Sequence, residues 1–288
     1  MKTLVITGAQ GQLGQCFRHV LAGNTQFKVH YSTKLDCDLS QLEATTKHLQ
    51  ALQPDVVINC AAYTQVDAAE ANPQQAANVN VLGVENLVQV AEKLGFSIVH
   101  FSTDYVFDGK QTTPYAETAP TRALSVYGQT KLNGETALFK ATTPHCCIRS
   151  SWVFSPFGKN FVKTIRHKLL HQEALQVVND QYARPTYGID LAQTVVQLLQ
   201  NNSLMIHPLY HFANSGETSW FGLAQHIATK LGSEAPITAI PTNSLKNTAP
   251  RPKYSVLATE RIEKIGNFSP RVWEAALDDC LKLLDETH

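Results

Sequence analysis

Thr103, Asp104, Tyr127 and Lys131 stand in the middle of this 288-residue chain with types and spacing suited to moving a proton beside a carbonyl. Tyr127 and Lys131 lie four apart in "SVYGQTKLNGE" (125–135), which is one turn of a helix. A free phenol has a pKa of ~10 and is a sluggish acid or base at neutral pH. A nearby ammonium favours the phenolate and brings the group toward the working range. Thr103 and Asp104 fall at the end of the apolar run in "STDYVFDG" (102–109). Hydride delivery to a carbonyl carbon leaves negative charge on oxygen, which calls for a proton donor and a second hydrogen bond to hold it. Tyr127 suits the first task, Thr103 the second, and Lys131 supports the tyrosine. The spacing Y-x-x-x-K also arises by chance on many solvated helix faces, so its surroundings must decide.

The first of those surroundings is "GAQGQLG", with Gly8, Gly11 and Gly14 directly after the first apolar run. Glycines there let the chain turn tightly, let backbone approach a pyrophosphate, and leave the N–H groups of a helix start, here Gln12, Leu13 and Gly14, for phosphate oxygens. At the end of the second run an NAD site would place an acid on the ribose 2′-hydroxyl. Here "HYSTKLDCDL" puts Ser32, Thr33 and Lys34 in that place, which favours NADPH and leaves NADH as a weaker alternative. A slip of a few residues would bring Asp36 into play. Asp38 either meets the cofactor or caps a helix that begins near Ser40.

These residues need a scaffold, and the apolar runs at 3–8, 27–31, 55–60, 97–102 and 146–151 supply strands, each followed by helical spacing. Helices are expected at 12–23, 41–52, 74–94 and 125–141. Strand and helix in alternation imply an α/β fold with a doubly wound parallel sheet. Beyond 150 the spacing implies helices at 159–172, 188–201 and 219–231 and strands at 175–178 and 209–213. The expected division is a cofactor domain at 1–150 and a smaller, mainly substrate-binding lobe at 151–288, with 179–202 free to return to the first. Lys+Arg and Asp+Glu are both 24, which gives no basic excess for nucleic acid or an anionic membrane and leaves a small molecule as the expected partner. The six cysteines form no C-x-x-C pair, and no run reaches the ~20 apolar residues of a membrane span, so a cytoplasmic protein is expected.

The glycine spacing, the strand-end S-T-D and Y-x-x-x-K, in that order, resemble the short-chain dehydrogenase/reductase superfamily, whose fold is Rossmann-type. The segment "NVNVLGVENLVQVA" (78–91) is similar to its extended branch, which acts mostly on nucleotide sugars. Within that branch "STDYVFDG", "YGQTKLNGE", "RSSWVF" and "PRPKYSVL" resemble the dTDP-4-dehydrorhamnose reductases. That resemblance implies NADPH-dependent reduction of a 4-keto sugar nucleotide, with Thr103, Tyr127 and Lys131 catalytic. It implies that Asp38 and Leu39 lie against the adenine, that Ala61, Ala62 and Tyr63 of "CAAYT" line the middle of the cofactor, and that Ser32 and Lys34 hold its 2′-phosphate. Thr103, Asp104 and Trp152 would meet the sugar, and Arg184 or Arg251 would pair with the diphosphate. Trp152 and either arginine are equally readable as structural. Related dehydratases carry Asp-Glu after the threonine, whereas this chain has Asp104-Tyr105, which suits simple reduction. Some relatives place a glutamate in the first helix at a metal-linked subunit contact; here "GQCFRHV" has Cys16, so no metal is carried over and a homodimer stays open. The alternatives are a regulatory subunit resembling the β subunit of methionine adenosyltransferase, and a nucleotide-sugar epimerase that retains NAD.

Overall fold

The five apolar runs form strands β1 (Lys2–Thr7), β2 (Phe27–Ser32), β3 (Val56–Asn59), β4 (Ser97–Thr103) and β5 (His145–Ser150). After them come β6 (Val153–Phe154), β7 (Leu175–Val178), β8 (Tyr182–Ala183), β9 (Thr186–Tyr187), β10 (Leu209–Phe212), β11 (Thr218–Ser219) and β12 (Ile237–Ile240). The computed structural model describes residues 1–246 and 248–286. Asn247, just before the "PRPKYSVL" segment, and the last two residues of the expected lobe lie outside the described residues.

The main sheet has the order β10-β5-β4-β3-β1-β2 with every pair parallel. The chain starts in mid-sheet at β1, steps to β2 on one side, then crosses to β3 and builds outward on the other. The strand order therefore reverses between β1 and β3, and the crevice beyond their carboxyl ends is where ligands bind in such sheets. The helices are α1 (Gln12–Val20), α2 (Leu42–Leu52), α3 (Val66–Ala71), α4 (Pro73–Ala77), α5 (Gly83–Leu94), α6 (Val126–Leu138), α7 (Phe161–Leu170), α8 (Gly188–Gln200), α9 (Trp220–Leu231), α10 (Glu260–Gly266) and α11 (Trp273–Glu286).

Period-two alternation along each strand splits the core between two faces. Leu4, Ile6, Ile58, Val99, Phe101 and Ile148 face one side, against Cys16 and Phe17 of α1, α7, α8 and the helices beyond. Val5, Val57, Ile98 and Cys147 face the other, against Leu49 of α2, Leu87 and Ala91 of α5 and Leu138 of α6. Both faces are covered, which is why the strands read as unbroken apolar runs. The chain beyond residue 150 supplies both α8, packed on α1, and the sixth sheet strand, β10 beside β5.

The expected helix at 74–94 is α4, a π-helical turn at Asn78–Leu82 and α5, ended by Gly95 at φ +82°. Helices α3, α10 and α11 were not expected. The first is six residues long, too short to display a period. The last buries Trp273, Leu277, Cys280 and Leu284 at ordinary helical spacing.

Candidate active site

The glycine loop lies at the reversal point. Gly8 turns the chain out of β1 at φ +63°, and a Cβ there would stand 2.6 Å from the Ala61 nitrogen, so the loops after β1 and β3 are in contact. Gly11 N–H bonds to the Gly8 carbonyl at 2.9 Å, and α1 begins with no side-chain cap. The first N–H groups of the helix, on Gln12, Leu13 and Gly14, are thus left to an anion. The Gln12 side chain turns away and donates to the Val153 carbonyl at 3.0 Å. This uncapped start over a glycine turn fits the pyrophosphate of a dinucleotide.

Around the ribose end the expected residues divide. Ser32 is buried and its hydroxyl is bonded to His48 Nε2 at 2.7 Å. Lys34 is exposed and 3.7 Å from Asp38. Asp38 Oδ1 accepts from the Ser40 N–H at 3.1 Å and from its hydroxyl at 2.8 Å, which is the turn leading into α2. Leu39 is in the core, and its carbonyl accepts from Asn86 at 2.8 Å. Thr33 donates twice to Asp36, whose carboxyl these bonds hold below its usual range. Ala61, Ala62 and Tyr63 are half-buried beyond β3. Asn80 in the π-turn pins that loop, accepting from Tyr63 N–H at 2.9 Å while its amide donates to the Tyr63 carbonyl and to Thr130 of α6, each at 3.0 Å.

Thr103 and Asp104 leave β4 at the same edge, both buried. Thr103 Oγ1 donates to Asp104 Oδ1 at 3.1 Å and accepts from Tyr105 N–H at 3.2 Å, and it lies near enough to Tyr127 to act on its titration. Tyr127 is placed by the start of α6, where Ser125 caps Gly128 N–H at 3.1 Å and Glu70 of α3 takes Val126 N–H at 2.9 Å. Burial pushes Tyr127 up to about 12; Thr103 pulls it down and the Asp104 carboxylate pushes it up. Lys131, one turn further along α6, is itself buried and turned to His100 Nε2 at 3.3 Å, with burial taking its amine down to about 8.

Asp104 is pushed up to about 7 by burial, against hydrogen bonds from Ser255 (2.5 Å) and Thr103. Ser255 arrives on the "PRPKYSVL" segment, which is laced to β8 through Tyr182 and to the Tyr115 loop through Val256 and Ala258. Trp152 holds a left-handed backbone at φ +47°, which is costly for so bulky a residue, and stacks on Trp220 at 3.7 Å. Arg184 donates to the Leu257 carbonyl at 3.2 Å and lies 4.0 Å from Glu217. Arg251 is bound to Asp67 at 2.9 Å and lies beside Tyr105, the ring that meets Tyr127 edge-on at 6.0 Å. Of the two arginines, Arg251 is thus the one linked to the tyrosine pair.

Residues 1–286 match the family described as RmlD substrate binding domain. The chain belongs to that family. It is 37% identical to the spore coat polysaccharide biosynthesis protein SpsK of Bacillus subtilis, over 98% of each chain. It is 35% identical to dTDP-4-dehydrorhamnose reductase of Aggregatibacter actinomycetemcomitans, over 96% of this chain and 97% of that one. The crystal structure of dTDP-4-dehydrorhamnose reductase from Bacillus anthracis in complex with NADP superposes with a TM-score of 0.93 at 29% identity, covering 98% of this chain and 99% of that one.

In this RmlD-family chain the structure brings together Thr103, Asp104 and Tyr127, and sets Lys131 one turn behind them. Four polar residues of the same region escaped the sequence reading: Asn59, His100, Asn80 and Ser255. Asn80 carried a signal, as a polar residue within an apolar helical run. Among the described residues no group of His, Cys, Asp and Glu is arranged to hold a metal ion, and no helix is long and apolar enough to cross a membrane.

Proposed function

We propose that the protein reduces the 4-keto group of dTDP-4-dehydro-L-rhamnose with NADPH, giving dTDP-L-rhamnose. The observation that carries this reading is the nearness of Tyr127 to Thr103 at the strand end beside the glycine loop, in a chain whose relatives bear that enzyme's name over nearly their whole length. The reduced nicotinamide would supply the hydride. Gly8, Gly11 and the start of α1 would hold the pyrophosphate, Lys34 would meet the 2′-phosphate, and the 61–63 loop would line the middle of the cofactor. Thr103 holds the carbonyl oxygen, and Tyr127 gives it a proton as negative charge develops. Lys131 would reach the nicotinamide ribose. Asp104, Trp152 and the arginines of the second part face the sugar nucleotide, and residues 151–288 outside α8 and β10 form most of that side.

The finer reading is a cytosolic enzyme, since the six cysteines are free thiols, with pairing into a homodimer left to light scattering. Purified protein mixed with NADPH and the 4-keto sugar nucleotide should consume the reduced-nicotinamide absorbance and yield the 4-hydroxy product, dTDP-L-rhamnose. Absence of consumption with a verified substrate sinks the reading. Retained NAD without net consumption would indicate an epimerase, and co-purification with an adenosyltransferase a regulatory subunit.

A further inference from the structure

Lys131 closes a row of buried polar side chains that the proposed reaction does not use. Thr7, Asn59 and His100 stand in register across β1, β3 and β4, and Cys147 continues the row on β5. All four are buried, on the sheet face covered by α6. Polar atoms there need partners, because an unmet one has no water to turn to.

The donors in this row fix one another. Ala61 N–H can donate and cannot accept, and it faces Asn59 Oδ1 at 3.1 Å, as does the Thr7 hydroxyl at 2.7 Å. The atom of Asn59 that faces His100 Nδ1 at 3.1 Å is therefore its NH2. Nδ1 accepts that bond and carries no proton. Burial, reinforced by Lys131, pushes His100 well below the usual histidine range, so the ring is neutral. Its one proton then sits on Nε2, the nitrogen 3.3 Å from Lys131 Nζ. An N–H in that place is welcome to an amine lone pair and repels an ammonium.

The other groups around Lys131 compensate only in part, Cys147 and Glu135 pulling its amine up against the larger effect of burial. Glu135, one turn further along α6, is taken by Arg149 of β5 through two bonds of 2.8 and 2.6 Å. Cys147 of β5 is kept a neutral thiol by burial. His211 of β10, which meets Arg149 rather than Lys131, is neutral as well. Ser102, the next residue of β4 on this face, has a buried hydroxyl with no partner, an acceptor in waiting.

We propose that His100 is a positioning residue that presents an N–H to Lys131 and loosens its hold on its proton, a hold that firms when cofactor and substrate oxygens surround it. The catalytic consequence rests on the reductase reading; the tautomer does not. Long-range nitrogen–proton NMR of the full chain with labelled histidine, assigned by loss of one signal in His100→Gln, should show His100 protonated at Nε2 and neutral from about pH 5 to 9. A proton on Nδ1, or an imidazolium, overturns the proposal whatever the enzyme's activity. In the reductase assay, His100→Leu should move the alkaline limb of the hydride-transfer rate up by about one pH unit, since the ammonium no longer faces an N–H. A limb that stays or moves down overturns it. His100→Gln, which can accept from Asn59 and donate to Lys131, should leave the limb within about 0.3 units of wild type.

Discussion

Tyr127 holds its proton firmly in the cofactor-free protein, because burial outweighs the help of Thr103 and sets it at about 12. A donor loaded at neutral pH can serve a reduction, although a proton held this tightly leaves less readily than from a free phenol. Tyr127→Phe should therefore lower turnover by about 10²–10⁴-fold while NADPH affinity changes less than ~3-fold, read by absorbance and by cofactor titration. Asp104 is the opposite case, a carboxyl raised to about 7 in the folded chain against 3.8 in the free group. Between those values the folded state binds more protons than the unfolded, so stability is whole below about pH 4 and falls as pH rises through 7. Asp104→Asn escapes that fall: it should gain a few kcal/mol over wild type at pH 8 and about none at pH 4, by urea denaturation. Equal gains at the two pH values would assign the effect to packing. The grouping of Thr103, Tyr127 and Lys131 was legible because motif order and helix spacing are written along the chain. Asn59, His100 and Ser255 were not, because sheet register and a strap from 150 residues away bring them to the site.

At the scale of elements, the turn from β1 into α1 leaves no room for a side chain. A Cβ on Gly14 would lie 2.5 Å from the Gly8 carbonyl oxygen and 2.6 Å from Ala9 Cα, both backbone atoms that cannot swing aside. Gly14→Ala must push α1 off the strand, tilting the N–H groups offered to the pyrophosphate. It should weaken NADPH binding by more than about tenfold and cost about 1–3 kcal/mol of stability, by cofactor titration and thermal melting. Unchanged affinity would mean the phosphates sit elsewhere. The glycine spacing and the long helices could be read in advance because helix and strand periods repeat over enough residues to show. Strands such as β8 and β11, two residues each, have no period to read, and their pairing depends on chain segments brought together by the whole fold.

The molecule as a whole ties its two sequence halves through one core. Leu4 and Ile6 of β1 pack in the same cluster as Leu191 and Val195 of α8, Tyr210 of β10 and Trp273 of α11. The tryptophans Trp152, Trp220 and Trp273 all lie beyond residue 150, whereas the glycine loop lies at the start of the chain. A single core predicts that tryptophan fluorescence, a probe of the second half, and far-ultraviolet circular dichroism, a probe of the whole, report one coincident urea transition. NADPH at about 100 times its dissociation constant should then raise stability by about 2.7 kcal/mol, and the tryptophan signal should register the whole rise although the glycine loop is far from it in sequence. If fluorescence changes at lower urea than circular dichroism and ignores the cofactor, the second half unfolds by itself and β10 is an appendage to a sheet that stands without it.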